Sequence, residues 1–197
     1  MFAVEAAKRG HTVELLEKSG QLGGRVVPGS VPAVKFDFKN YLDWLNEQVR
    51  QAQQLPNFTL RLSTPVTTEW LTEQKFDTIV FAVGTRNACP PIPGLDKVKA
   101  VQAVDLLADP GLLGDAKKVV VAGGGVVGCE TAYWLRYEQG REVKVVEMLP
   151  NFMQGVCTAN RGHLLHYMEK AGVELYNCAK VTSFEPGKVH ISRNVSK

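Results

Sequence analysis

The stretch that decides the fold is Lys118-Val119-Val120-Val121-Ala122-Gly123-Gly124-Gly125-Val126-Val127-Gly128, a β-branched run that passes directly into three glycines and then a fourth. Residues 118–122 have strand composition, and residues 129–139 continue with helical spacing at Val127, Thr131 and Leu135. A GxGxxG pattern between a strand and a helix is a dinucleotide-binding turn. Gly123 permits the tight turn, Gly125 lets a pyrophosphate approach bare backbone, and Gly128 lets helix pack on strand. The helix start, with Val126 and Val127, then offers unpaired amides and the positive end of its dipole to phosphate.

Gly140 closes that helix, and residues 143–146 form a second strand ending in Glu147. An acid at this spacing accepts hydrogen bonds from an adenosine ribose, and its charge repels a 2′-phosphate. Residues 148–154 contain no arginine, so NAD(H) is favoured over NADP(H).

The opening of the chain repeats this order. Ala3, Ala6 and Ala7 mark a helix closed by Gly10, residues 12–16 read as a strand, and Glu17 stands at its end. The strand and glycine loop expected ahead of such a helix are not among these residues. Turn glycines Gly20, Gly23 and Gly24 follow, then a helix with Phe38, Leu42, Leu45, Val49 and Ala52 at helical spacing, then a strand at 59–62. Residues 70–74 read as a short helix. Residues 77–83 are a nearly unbroken apolar run before Gly84, which predicts a strand buried on both faces.

Pro90, Pro91 and Pro93 forbid regular structure and mark a crossing between two units. The expected organisation is a partial dinucleotide-binding unit over 1–90, a linker over 91–116 with a short helix at Leu106 and Leu107, and a second partial unit over 117–197. The fold class is α/β, with two incomplete Rossmann-like units of parallel sheet flanked by helices. A helix is expected at 160–170, and residues 181–184 and 189–192 form a hairpin turned by Pro186 and Gly187.

Composition narrows the function. The 197 residues are 45% hydrophobic and 22% charged, which excludes disordered, collagen-like and coiled-coil classes. A net charge of +3, with no basic run interleaved with aromatics, argues against nucleic acid. No apolar stretch approaches membrane-spanning length, and the expected location is cytoplasmic. Cys89, Cys129, Cys157 and Cys178 show no CxxC, zinc or iron–sulfur spacing and read as buried or incidental thiols, which argues against a dithiol redox centre. His163 and His166 share a helix face without a third ligand, so no metal site is expected. Trp44 and Trp70 read as core or half-buried anchors.

Residues 9–18 (RGHTVELLEK), 22–25 (LGGR) and 40–45 (NYLDWL) resemble the FAD-binding domain of the 2,4-dienoyl-CoA reductase and 2-enoate reductase family. Residues 81–84 (FAVG) with 91–94 (PIPG) are similar to its closing strand, with Val83 where the family has threonine. Residues 123–132 (GGGVVGCETA) and 146–150 (VEMLP) resemble its inserted NAD(P)H domain. The likeness spans nearly the whole chain in motif order.

The resemblance implies that Glu17 and Lys18 meet the FAD ribose, Gly24 and Arg25 the neighbouring phosphate and ribityl region, and Val66 the adenine through its backbone. It places Ala82 and Gly84 over the pyrophosphate. Gly123, Gly125, Val126, Val127, Gly128 and Glu147 take the corresponding nicotinamide-dinucleotide roles. It also implies a full-length protein in which NADH reduces FAD and electrons cross a 4Fe-4S cluster to FMN. The FMN and cluster belong to an N-terminal flavin barrel, which reduces an enoate or enoyl-CoA double bond. Hydride transfer between stacked rings needs no acid or base, so no catalytic residue is assigned. The expectation is a fragment of a flavin-dependent NADH oxidoreductase, inactive alone and prone to self-association. The alternative is a non-catalytic dinucleotide-sensing or interaction module.

Overall fold

A computed structural model describes residues 1–193, and internal contacts divide the chain into two compact units, Met1–Arg86 and Asn87 onward. The first unit begins with α1 (Phe2–Lys8) and β1 (Val13–Leu16), followed by the one-turn α2 (Val26–Gly29). The long α3 (Phe36–Ala52), β2 (Phe58–Arg61) and the short α4 (Thr68–Glu73) complete it. β1 and β2 pair in parallel from Val13↔Phe58 to Leu16↔Arg61, with α3 as the crossover. Val4 and Ala7 of α1, Val49 and Ala52 of α3, and Phe58 form the buried core.

Turn chemistry sets how α1 enters β1. Gly10 adopts φ +92°, which side-chain-bearing residues rarely take. The Asn57 amide donates to the Ala7 and His11 carbonyls at 2.9 and 2.7 Å, satisfying the frayed end of α1 from across the unit.

Two expectations fail here. Residues 77–83 form no strand, and Phe81 and Val83 are 72% and 84% exposed. A strand exists through its ladder. β1 and β2 pair only with each other among the described residues, so this apolar run has no neighbour to hydrogen-bond. Trp44 is not an anchor in the core: it is 47% exposed and stacks on Tyr41, ring centroids 5.9 Å apart. The buried stripe of α3 runs through Val49 and Ala52 instead, and Trp44 lies off that stripe. Trp70 is half-buried beside Phe76.

The second unit carries α5 (Ala103–Ala108), β3 (Lys118–Ala122), α6 (Val126–Tyr137) and β4 (Glu142–Val146), then α7 (Thr158–Ala171) and β5 (Glu174–Tyr176). A hairpin of β6 (Ala179–Glu185) and β7 (Lys188–Arg193) follows. The sheet order is β3-β4-β5, all parallel. β5 is only three residues long, between the left-handed Gly172 and Asn177, too short to show periodicity in the sequence.

The stretch 91–116, expected as linker, contributes Leu106, Leu107 and Leu113 to the core around Trp134, Leu135 and Met168. Their side chains bury apolar area that a solvated linker would leave in water. Pro93 also accepts a hydrogen bond from the Phe184 amide at 2.8 Å, and a Cβ on Gly94 would lie 2.0 Å from the Phe184 oxygen. The expected domain range 117–197 ends in residues 194–197, which lie outside the described residues.

Met168 is fully buried, whereas Trp44 is not. Met168→Ala should therefore cost about 2–5 kcal/mol in urea unfolding and Trp44→Ala about 0.5 kcal/mol or less. Equal costs would contradict this assignment of the core.

Candidate functional site

The second unit builds its site at the carboxyl end of β3. Gly123 turns the chain at φ +113°, its amide donating to the Val146 carbonyl at 2.9 Å. The Gly124 amide donates to Oε2 of Glu147 at 2.7 Å, while its carbonyl accepts from the Met153 amide at 2.8 Å and the Cys129 thiol at 3.3 Å. Every backbone polar group of Gly124 is thereby held by the protein. Gly125 precedes α6 with no side-chain cap, leaving the first-turn amides of Val126 and Val127 without an intrahelical acceptor.

The glycines are needed for different reasons. A Cβ on Gly128 would sit 2.0 Å from the Gly123 oxygen, so helix and turn touch there. A Cβ on Gly124 would meet Phe152 at 2.4 Å and Glu147 at 2.8 Å, a constraint the GxGxxG pattern does not encode. A Cβ on Gly125 would meet nothing within 4 Å. No side chain fills the space in front of Gly125, where the sequence places the pyrophosphate.

Glu147 is only 8% exposed, and its second oxygen, Oε1, accepts from the Leu149 amide at 2.7 Å. The predicted ribose acid is thus also the clamp of the glycine turn, a role that spacing alone does not show. Charge-assisted bonds to backbone amides are among the stronger protein hydrogen bonds.

The first unit repeats the strand-end part of this lattice. Glu17 donates its amide to Arg61 and accepts from Thr64, both at 2.9 Å, as Glu147 does with Tyr176 at 2.8 Å and Ala179 at 2.9 Å. Oε1 of Glu17 accepts from the Ser19 amide at 2.8 Å, as Oε1 of Glu147 does from Leu149. Ser63 and Cys178 occupy the same left-handed step, φ +52° and +49°, just beyond the neighbouring strand. Glu17 and Glu147 therefore hold the same position in two copies of one half.

The remaining predicted residues of the first unit lie outside its helices and strands. Lys18 is exposed beside Glu17, Gly24 takes φ +49° in open space, and Val66 is 40% exposed in the loop after β2. Ala82 and Gly84 lie on the irregular stretch, Gly84 at φ +67°. The Arg25 guanidinium donates to the Thr85 carbonyl at 2.8 Å, which brings the Gly24 turn next to the Gly84 turn. Gly23, not predicted as a site residue, has φ +115°, and a Cβ there would lie 2.6 Å from Leu42.

Among the described residues no group of three metal-ligating side chains forms, and the His163 and His166 rings contact Tyr167 at 4.8 and 5.8 Å. No helix among them is long and apolar enough to cross a membrane. The four cysteines are free, with Cys89 and Cys157 exposed and Cys129 buried.

The glycine turn between β3 and α6, the buried acid after β4 and the repeated strand end together make the pattern of a dinucleotide-binding fold. Residues 1–196 match the pyridine nucleotide-disulphide oxidoreductase family. The chain is 37% identical to a cinnamate reductase of Clostridium sporogenes, across 81% of this chain and 23% of that protein. It is 33% identical to an NADH oxidase of Thermoanaerobacter brockii, across 93% and 28%. Its fold is similar to a 2-naphthoyl-CoA reductase solved with 2-naphthoyl-CoA (TM-score 0.85, 27% identity, 97% of this chain and 28% of that one). The chain belongs to the pyridine nucleotide-disulphide oxidoreductase family and spans about a quarter of the length of these relatives.

Burial, with Glu147 and Glu130 adding repulsion, pushes the Cys129 thiol from its ordinary 9.0 up to about 12. The native state thus holds a proton that the unfolded chain releases, so this contribution to stability should fade as pH rises from 9.0 toward about 12. At pH 8 iodoacetamide should label Cys89 and Cys157 in the folded protein, and Cys129 only after unfolding, read by peptide mass spectrometry. Rapid labelling of native Cys129 would contradict its burial.

Proposed function

We propose that this chain is the electron-entry part of a flavin-dependent NADH oxidoreductase. One observation carries the reading: Glu147 grips the Gly124 amide, while Gly125 and the uncapped start of α6 leave open backbone beside it. The same carboxylate fits the adenosine ribose, and its charge with the neutral residues 148–154 favours NADH. Gly123, Gly125 and Gly128 would shape the pyrophosphate seat, with Val126 and Val127 donating amides.

FAD would lie against the first unit, with Glu17 and Lys18 at its ribose, Gly24 and Arg25 at the phosphate and ribityl region, Val66 at the adenine, and Ala82 and Gly84 at the pyrophosphate. The repeat of the Glu147 lattice at Glu17 supports this placement. When bound, the flavin supplies a two-electron acceptor for hydride from the nicotinamide. The protein's part is to bind and orient the two cofactors.

In the full-length protein the electrons would continue through a 4Fe-4S cluster to FMN in an N-terminal flavin barrel and reduce an enoate or enoyl-CoA double bond. Likeness to a cinnamate reductase and a 2-naphthoyl-CoA reductase supports that direction. The chain alone would bind dinucleotide without turnover, in the cytoplasm. Val34, Phe36, Phe81 and Val83, between 61% and 84% exposed, support self-association of the chain by itself. Light scattering at micromolar concentration should show species larger than 21.6 kDa; a monodisperse monomer would count against it.

Because Glu147 also clamps the turn, Glu147→Ala would mix binding with folding. Gly125→Ala separates them, since its Cβ meets no protein atom. Titration calorimetry should detect NADH on the wild-type chain and a loss of about tenfold or more in Gly125→Ala at unchanged unfolding midpoint. Gly128→Ala should instead lower the midpoint, its Cβ lying 2.0 Å from the Gly123 oxygen. Equal NADH affinity in wild type and Gly125→Ala would sink the assignment.

A further inference from the structure

We propose that Lys180 reads the 2′-phosphate of NADPH, so that the site accepts NADPH as well as NADH; this rests on the dinucleotide reading above. Residues 148–154, which directly follow Glu147 in the sequence, carry no cation. The fold brings one from elsewhere. β6 leaves the end of β4, its first residue Ala179 donating to the Glu147 carbonyl at 2.9 Å, so the next residue, Lys180, stands beside the strand end that carries the ribose acid.

A cleft of about 290 Å³ opens there, lined by Met148, Cys178, Lys180 and Ser192. Met148 directly follows Glu147. A 2′ substituent on a ribose held by Glu147 projects toward such neighbouring residues, where a cation accommodates it in NADP-binding relatives of this fold class. The cleft offers one ammonium and, from its strand partner Ser192, one hydroxyl, with no carboxylate in its lining among the described residues. Lys180 is exposed, and among the described residues no carboxylate pairs with it, so its charge is available. Nearby Arg193 and Lys144 lie over the Tyr176 ring, and Lys144 also pairs with Glu174 at 3.0 Å.

The objection is Glu147, whose charge repels phosphate. Both its oxygens, however, already accept backbone amides, from Gly124 and Leu149, and it is 8% exposed. Those amide dipoles screen part of its charge, so the carboxylate weakens a 2′-phosphate without forbidding it. A flexible lysine on the outer wall can then meet the dianion as a point charge.

The test compares adenosine 2′,5′-bisphosphate with AMP, and NADPH with NADH, by calorimetry at low salt on wild type, Lys180→Ala and Lys180→Arg. Wild type should bind both dinucleotides. Lys180→Ala should weaken the two 2′-phosphorylated probes by about tenfold and leave AMP and NADH within about twofold, with Lys180→Arg restoring the loss. Equal losses for all four probes would overturn the assignment, as would NADH binding without NADPH binding in wild type. If neither dinucleotide binds, the dinucleotide reading itself fails and the assignment with it.

Discussion

The hydrogen bond from the Gly124 amide to the buried Glu147 carboxylate ties together everything the second unit does. A turn with three consecutive glycines has no side chains of its own to hold its shape, and its backbone entropy opposes order. Glu147 answers this from the adjacent strand. One oxygen takes Gly124, the other Leu149, and the strand carrying it is fixed by the β3-β4-β5 ladder. Met153 and Cys129 close on the Gly124 carbonyl from the other side. The turn is thus ordered before any ligand arrives, which lowers the cost of binding one.

The same solution occurs twice. Glu17 and Glu147 share their strand-end bonds, and the left-handed steps at Ser63 and Cys178 match despite different side chains. Serine and cysteine both accept a strained backbone there, so position in the lattice governs the conformation more than residue type does. Among the described residues Glu17 has no counterpart of the Gly124 bond, and it is less buried than Glu147. Its Gly24 turn is secured instead by Arg25 reaching the Thr85 carbonyl, a contact between residues sixty positions apart.

Much of this was legible from local pattern. The passage from strand to glycines to helix, the acid after β4 and the Pro186-Gly187 hairpin all follow from short-range rules of φ angle, periodicity and turn chemistry. Expectations failed where a neighbour was required. Residues 77–83 have strand composition yet no ladder partner among the described residues, and Trp44 sits in an amphipathic helix yet off its buried stripe. A Cβ on Gly124 or Gly23 would collide with Phe152 or Leu42, residues from later segments of the chain, which no consensus spacing records.

The sequence by itself determined the α/β class, the order of the two halves and the acids that follow β1 and β4, because those depend on backbone conformation and residue spacing. Only the tertiary structure decided that Glu147 clamps the glycine turn, and that Lys180 and Ser192 share a cleft with Met148. Hydrogen bonds and electrostatic fields act through space over a few ångströms, and the residues that meet at this strand end come from segments the chain keeps far apart.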